Sequence, residues 1–156
     1  MDSHTKFMRE AIRLAEESVR NGGGPFGAVI VKDGEIVAAT ANRVTLDNDP
    51  TAHAEVSAIR AACRKLNTFD LEGCTIYSSC EPCPMCLGAI YWAHIGKVYY
   101  GADRKDAADA DFGDDFIYEE LDKPIPMRRI PFLAMMHTEA QSPFKLWKEK
   151  PDKTAY

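Results

Sequence analysis

Long apolar runs without charges are missing from the sequence of 156 residues, and so are tandem repeats. A membrane-spanning helix needs about 20 consecutive apolar residues, so no segment is expected to cross a membrane. The first residues, MDSHTKFMREAIRLAEESVR, carry charges at regular intervals, whereas a secretory signal needs an uninterrupted apolar stretch. These absences together predict a cytoplasmic protein.

An excess of positive charge is also missing, because 24 acidic residues outnumber 19 lysines and arginines and give a net charge of −5. No general surface for neutralising phosphates is therefore expected, and a long nucleic acid is not a predicted partner. The glycine-rich segment GGGPFG lacks the Gly-Lys-Ser/Thr ending of a phosphate-binding loop. Its glycines are predicted to form a turn.

Cysteine occurs only five times, and the odd number argues against a framework of disulfides. In a reducing compartment such cysteines are thiols or metal ligands. A chain of this length can bury a sizeable core without covalent cross-links. We therefore predict a single domain that spans residues 1–156.

Helices and strands alternate in the predicted secondary structure. Apolar residues recur at helical spacing before Gly22, and two strands follow around a hairpin turn at Asp33-Gly34. A second helix begins near Thr51. Next come the strand CTIYSS, a helix over 84–93 and the strand KVYYGA, an order that makes the two strands parallel. A short helix near 116–121, a strand near 131–137 and a terminal helix near 143–148 complete a predicted α/β fold, a three-layer α/β/α sandwich around a mixed five-stranded sheet.

The segment SSCEPCPMC contains the strongest candidate for a metal site. Cys83 and Cys86 are three residues apart at the start of a predicted helix, so their side chains project on nearly the same face, as two ligands of one ion require. A helix N-terminus also favours the thiolate form of both side chains. His53, at the start of the preceding helix, offers a third ligand, and this set of sulfur and nitrogen donors prefers zinc.

Two kinds of zinc site fit these residues. With Cys80 as a fourth ligand, the site is closed and structural, as in a zinc-stapled binding module. Against this alternative, Cys80 ends a predicted strand, whereas Cys83 and Cys86 lie on a helical turn. With three ligands, a water keeps the fourth position and becomes a nucleophile at neutral pH. Glu55, two residues from His53, is then placed to carry protons, a task that a structural zinc does not need.

His53-x-Glu55 followed by Pro82-Cys83-x-x-Cys86 is a signature of zinc nucleobase deaminases. The stretches GPFGAVIV, NDPTAHAEVSAIR and SSCEPCPMCLGAIYWA resemble the cytidine and deoxycytidylate deaminase superfamily. The resemblance implies one zinc ion per subunit, held by the histidine and the two cysteines, with the glutamate as proton shuttle. It also implies hydrolytic deamination, in which zinc-bound hydroxide attacks an amidine-like carbon and ammonia leaves.

The last third of the chain is most similar to the short bacterial guanine deaminases, in KDAADADFGDDFIYEELDKP, IPF, SPFKLW and the terminal tyrosine. This resemblance implies a free purine base as substrate, with guanine and water giving xanthine and ammonia. Transfer-RNA adenosine deaminases share the zinc motifs, but they typically carry a PVGAV-like stretch where this chain has Pro25-Phe26-Gly27. They also bind a polyanion, which the nine carboxylates between Asp103 and Asp122 disfavour. A cytosine deaminase is the third enzyme alternative.

The resemblance also assigns residues to the substrate pocket. Asn42 can donate and accept hydrogen bonds on the purine edge, and Ala54 can offer its backbone amide at a helix start. Phe26 is placed to stack on the purine and Trp92 to form a wall of the pocket. Asp114 resembles the acidic residue that guanine deaminases use beside the exocyclic amine, which makes it a second catalytic candidate. The ordinary alternatives are a turn for the asparagine, core packing for the two aromatic residues and a helix N-cap for the aspartate.

The C-terminal segment SPFKLWKEKPDKTAY is also part of the resemblance to the short guanine deaminases. Short guanine deaminases exchange the C-terminal segment between two subunits, so the resemblance implies a homodimer that swaps residues of about 138–156. In that arrangement Phe144 and Trp147 dock the terminal helix, and Tyr156 reaches the purine in the neighbouring pocket and excludes water. A frayed, solvated terminus is the ordinary alternative.

Overall fold

The structure is a computed structural model that describes residues 2–156, and its contacts divide the chain into two compact units, Met1–Asp115 and Phe116–Tyr156. The elements of the larger unit are α1 (Ser3–Arg20), β1 (Gly27–Lys32), β2 (Glu35–Ala41), α2 (Val44–Asp47), α3 (Ala54–Leu66), β3 (Cys74–Cys80), α4 (Pro84–Trp92), β4 (Lys97–Ala102) and α5 (Arg104–Asp109).

The sheet of the larger unit has the strand order β2-β1-β3-β4. Strand β1 pairs antiparallel with both β2 and β3, whereas β3 and β4 are parallel and are joined through α4. The hairpin between β1 and β2 turns at Asp33 and Gly34, whose φ angles of 50° and 77° are typical of the tight turns that match strand twist. The predicted hairpin, parallel pair and mixed sheet are confirmed.

Two apolar cores lie on opposite faces of this sheet, because successive residues of a strand point to opposite sides. On one face α1 packs Phe7 and Ala11 against Val29 and Tyr77. On the other face α3 and α4 cover the sheet with small and aliphatic side chains, and this core contains Ala28, Ile30, Ala54, Ala58, Ala62, Ile76 and Ile90. The three-layer α/β/α arrangement is therefore confirmed.

Helix α1 lies unusually close to the start of β1, at Gly27. A Cβ atom on this glycine would lie 2.8 Å from the amide nitrogen of Ala15 and closer still to the carbonyl oxygen of Ala11. The Gly27 amide also donates a hydrogen bond of 3.0 Å to Ser79 Oγ on β3. Backbone packing against backbone thus fixes where β1 begins and where the preceding Phe26 is held.

The predicted strand near 131–137 is wrong, and the sheet formed by residues 2–156 has four strands instead of five. Pro131 has no amide hydrogen for a strand ladder, and Met136 has a left-handed φ of 53°, which is incompatible with extended backbone. The smaller unit is helical where it is regular. Its elements are most of α6 (Asp115–Asp122), two 3₁₀ turns (Ile125–Met127 and Glu139–Gln141) and α7 (Ser142–Glu149).

Large apolar side chains of the smaller unit are exposed throughout, up to 88% for Leu133. Residues 2–156 include no helix with the length and apolar character needed to span a membrane. The exposed side chains are Phe116, Ile117, Leu121, Ile125, Met127, Ile130, Phe132, Leu133, Met135, Met136, Phe144, Leu146, Trp147 and Tyr156. So much exposed apolar surface in one short unit is typical of a region that another chain covers.

Candidate metal centre and active site

Two helices begin at the predicted metal ligands. His53 is the N-cap residue of α3, and Cys83 is the N-cap residue of α4, where Pro84 occupies the first turn. A proline is favourable there because the amide that it lacks has no acceptor within the helix. Cys86 follows one turn later and is buried. The fold therefore brings together three side chains from two separate motifs.

The distances between the three donor atoms fit a zinc ion. His53 Nδ1 lies 3.5 Å from the Sγ atom of Cys83 and 3.5 Å from that of Cys86. All three donor atoms lie within 4.8 Å of one another. Tetrahedral zinc, with bonds of about 2.3 Å to sulfur and about 2.0–2.1 Å to nitrogen, places such donors about 3.6 Å apart. The site fits zinc with these three ligands and keeps one tetrahedral position open.

Cys80 does not belong to this group of donors. Its Sγ atom contacts the carbonyl oxygen of Asp103 at 3.6 Å, and the side chain is buried. Burial raises the pKa of the Cys80 thiol to about 11, which keeps it protonated at neutral pH. Among the described residues, the arrangement favours the open site over the closed structural one.

Hydrogen bonds within the cluster shift the pKa values of the two cysteine thiols. A hydrogen bond with Cys86, supported by His53, lowers the pKa of Cys83 to about 4. The same contact with Cys83, together with burial, raises the pKa of Cys86. The bond to Cys83 also raises the pKa of the His53 imidazole. Zinc binds cysteine as the thiolate, so a divalent metal that binds here would displace any proton that the two thiols retain.

Glu55 lies beside the three predicted metal ligands and is not one of the three donor residues. It is the second residue of α3 and only 4% exposed, and its carboxylate contributes to the raised pKa of Cys86. Ser78 Oγ donates a hydrogen bond of 2.6 Å to Glu55 Oε1. A carboxylate in this position can exchange protons with a group held at the open position. Its role as proton shuttle stays a prediction with favourable geometry.

Asp114 lies in the same neighbourhood, because its charge contributes to the raised pKa values of His53 and Cys80. It immediately precedes α6, which is the N-cap position that its ordinary alternative requires. Its Oδ1 atom is buried and has no hydrogen-bond partner among residues 2–156. Burial raises the pKa of this carboxyl group. A buried oxygen without a partner favours contact with a bound polar ligand over a purely structural role.

Three more predicted pocket residues are held in place by neighbouring groups. Asn42 is buried, and its Oδ1 accepts a hydrogen bond of 3.1 Å from the Val44 amide, so Nδ2 remains as the donor for a ligand. Ala54 is fully buried as the first residue of α3. The Phe26 ring contacts the edge of Phe112 at 5.2 Å between ring centroids. This aromatic contact is consistent with packing as well as with a pocket role.

The remaining two predicted pocket residues lie at the ends of other elements. Trp92 is the last residue of α4 and 67% exposed, and the helix carries it about 9 Å along its axis from Cys86. Tyr156 is the last residue of the smaller unit and is 75% exposed. The roles of both residues in a pocket stay predictions.

The sequence analysis missed Ser78, although a signal for it exists. Residues 74, 76, 78 and 80 of β3 share one face of the strand, and the structure packs that face against α3. A serine on an otherwise apolar face is unusual, because a buried hydroxyl needs a partner. The sequence analysis also missed an ion pair between Glu81 and Arg104, with a nitrogen to oxygen distance of 3.3 Å. This pair links the segment between β3 and α4 to the start of α5.

The comparison with known proteins agrees with this geometry. Residues 1–102 match the family described as the cytidine and deoxycytidylate deaminase zinc-binding region. The chain belongs to this family. Membership explains why a histidine, a glutamate and a Cys-x-x-Cys pair occur on the same strand and helix framework.

Relatives within the deaminase family differ in how much of the chain they match. Guanine deaminase from Bacillus subtilis (strain 168) is 56% identical over 155 residues, which cover 99% of each sequence. The X-ray structure of guanine deaminase from Bacillus subtilis superposes with a TM-score of 0.96 and 55% identity, over 100% of this chain and 99% of that one. A tRNA-specific adenosine deaminase from Aquifex aeolicus (strain VF5) is 42% identical over 125 residues, or 80% of each sequence.

Proposed function

We infer that this chain catalyses the hydrolytic deamination of guanine, with xanthine and ammonia as products. The observation that carries the inference is the extent of similarity to guanine deaminase, 99% of each sequence, against 80% for the tRNA-specific relative. The nine carboxylates between Asp103 and Asp122 also disfavour an RNA substrate. The open centre beside Glu55 supplies the chemistry.

We propose that one zinc ion per subunit binds to His53, Cys83 and Cys86. When bound, zinc supplies a nucleophile at neutral pH because it lowers the pKa of water. Glu55 takes the proton of the attacking water and passes it to the ring nitrogen beside the attacked carbon. It then takes the remaining proton from the oxygen added to that carbon and delivers it to the departing amino group, so ammonia leaves and a carbonyl remains.

Five residues are proposed to recognise the base. The Nδ2 atom of Asn42 and the backbone amide of Ala54 donate hydrogen bonds to acceptors on the purine edge. Phe26 stacks on the purine, and Trp92 forms a wall of the pocket. The buried Oδ1 atom of Asp114, which has no hydrogen-bond partner within the described chain, accepts a hydrogen bond from the amino group that leaves. A polar site matched to one base rejects another, because the wrong base leaves buried groups without partners.

Ammonia release from four substrates tests the proposed function. The zinc-loaded protein is incubated separately with guanine, adenine, cytosine and an adenosine-containing tRNA anticodon stem. Guanine should exceed each of the others by roughly 10⁴-fold in kcat/KM, the selectivity expected of a hydrogen-bonding pocket. A preference for the stem or for cytosine would assign the chain to the corresponding alternative. Tight zinc binding without ammonia from any substrate would support the structural zinc module.

Substitution of Asp114 tests the proposed contact with the amino group. Asp114→Asn should lower kcat/KM for guanine by about 10–100-fold, because a hydrogen bond to a charged group contributes about 1.5–3 kcal/mol. The melting temperature should change little, since Oδ1 has no partner within the described chain. Asp115→Asn is the matched control, because its exposed side chain starts α6. Unchanged kinetics in Asp114→Asn would favour the helix-cap alternative.

We also propose a homodimer that exchanges the C-terminal segment of about 138–156, within one deaminase domain per subunit. The exposed apolar side chains of the smaller unit support this proposal, because a partner would remove them from water. Phe144 and Trp147 lie on the amphipathic helix α7, and Tyr156 ends the segment. In the proposed dimer, Tyr156 of each subunit closes the pocket of the other.

A mixture of two inactive variants tests the exchanged tail. One variant is Glu55→Gln with a complete tail, and the other is truncated before Lys153 with an intact glutamate. In a mixed dimer, the truncated chain's pocket receives its partner's tail, so random pairing should restore about a quarter of the wild-type activity. The measurement is ammonia release after joint refolding, with mixed dimers verified by native mass spectrometry. Mixed dimers without recovered activity would contradict the exchange.

We propose a cytoplasmic location as well. All five cysteines are free thiols, including the two metal ligands. A reducing compartment keeps thiols in this form and available to zinc.

A further inference from the structure

A buried serine and a buried carboxylate form a polar pair where the apolar core between the sheet and α3 borders the predicted metal ligands. Ser78 on β3 is 1% exposed and Glu55 on α3 is 4% exposed. Around them this core is apolar, with Ala28, Ile76 and Ala58 among its members. A hydroxyl in such surroundings is unfavourable unless it is hydrogen-bonded, so the identity of residue 78 needs an explanation.

The hydrogen bond between the two side chains has a defined direction. An ionised carboxylate can only accept, so the hydroxyl of Ser78 must donate to Oε1 of Glu55. The distance of 2.6 Å is typical of a strong bond from a hydroxyl to a charged oxygen. This bond occupies one carboxylate oxygen, so Oε2 is the other oxygen with which Glu55 can exchange protons.

The serine that makes this bond is itself rigidly placed. Ser78 pairs with Ala28 of β1 on one side and with Tyr100 of β4 on the other, in the centre of the sheet. A glutamate side chain has several rotatable bonds, and a donor fixed on a strand selects one of its orientations. Catalytic groups that are held in advance avoid the entropic cost of finding the reactive geometry.

We propose that Ser78 is a positioning residue for the proton shuttle, because its hydroxyl holds Glu55 with Oε2 directed at the reacting groups. The proposal rests on the deaminase function inferred above. It assigns Ser78 no contact with the base or with the metal ligands. The loss of its hydroxyl should therefore slow the proton transfers without weakening the binding of guanine.

Ser79 provides a matched control in the same strand. It has the same side chain, but its Oγ accepts a hydrogen bond from the Gly27 amide, on the sheet face that α1 covers. Ser79→Ala removes a half-buried hydroxyl of the same size without touching Glu55. A general effect of hydroxyl loss on β3 would appear in both variants, whereas loss of the glutamate contact appears only in Ser78→Ala.

The experiment compares kcat, KM and zinc content in the zinc-loaded full chain. Ser78→Ala should lower kcat by about 10–100-fold, as expected for a misplaced catalytic group, with KM within about twofold of wild type. Ser78→Thr should keep most of kcat, whereas Ser78→Val, which introduces a side chain of the same shape as threonine but without the hydroxyl, should lose it. Zinc content should equal that of wild type in all variants, and Ser79→Ala should keep its kcat.

Crystal structures of wild type and Ser78→Ala provide a readout that needs no substrate. The Glu55 carboxylate should be displaced or disordered in Ser78→Ala and ordered in wild type. A carboxylate that stays ordered in place, or a kcat equal to wild type, would overturn the proposal. Equal losses in Ser78→Thr and Ser78→Val, or loss of zinc, would assign Ser78 a structural role instead. If wild type prefers another base, the proposed substrate fails, and the same kcat comparison is made with that base.

Discussion

Replacement of Glu55 by glutamine is expected to leave zinc bound and to lower kcat for guanine by roughly 10²–10⁴-fold, the usual contribution of a general acid and base. Glutamine has nearly the same size and shape, but its amide can neither accept nor deliver the required protons. Glu55 lies outside the group of three donor atoms, so the metal should remain. Elemental analysis measures the zinc content, and ammonia release under single-turnover conditions measures the chemical step.

Glu72→Gln is the control for this substitution, since Glu72 is exposed in the connection between α3 and β3. It should match wild type in both measurements. Full turnover in Glu55→Gln would remove the proton-shuttle role. Loss of zinc from that variant would show that the carboxylate helps to hold the metal.

The second large effect is expected at the ligands, where Cys83→Ala should lose both zinc and activity. Among residues 2–156 the substitution removes one of the three grouped donors, and the alanine side chain has no atom that can bind a metal ion. Loss of a group that merely orients a ligand costs about 10–100-fold in metal affinity, and loss of a ligand itself should cost more. Zinc retained after dialysis against a chelator, compared with wild type, is the measurement.

Cys80→Ser is the matched control for the ligand substitution, because Cys80 has the same side chain in the same motif but contacts the Asp103 carbonyl. It should keep its zinc and most of its turnover. Release of zinc by Cys80→Ser would restore the closed Cys₃His alternative. Stoichiometric zinc in Cys83→Ala would mean that the ligand assignment is wrong.

The grouping of His53, Cys83 and Cys86 could be predicted because its signals are local. Cys83, Pro84 and Cys86 mark a helix start by themselves, and His53 with Glu55 marks another. Each motif carries its own geometry, so the only long-range requirement is that the two helix starts meet. The hairpin at Asp33 and Gly34 was predictable for the same reason, because the turn residues specify the pairing of the strands beside them.

The contact between Ser78 and Glu55 could not be derived with the same certainty, because it depends on how β3 packs against α3. A shift of one residue along β3 would turn Ser78 to the opposite face of the sheet. The prediction of a strand near 131–137 was wrong for a related reason. The apolar run FLAMM looks like a buried strand, but apolar character does not by itself specify extended backbone, and Met136 takes a left-handed conformation.

Gly27 determines how loss of function should be read in a mutational screen of this chain. Any side chain at this position meets the backbone of α1 at Ala11 and Ala15, and backbone cannot yield as a flexible side chain can. Variants at Gly27 should therefore score as inactive even though the residue has no part in the chemistry. Unlike inactive variants of Glu55, they should also be depleted from the soluble fraction, so that protein abundance separates residues that build the scaffold from those that turn over substrate.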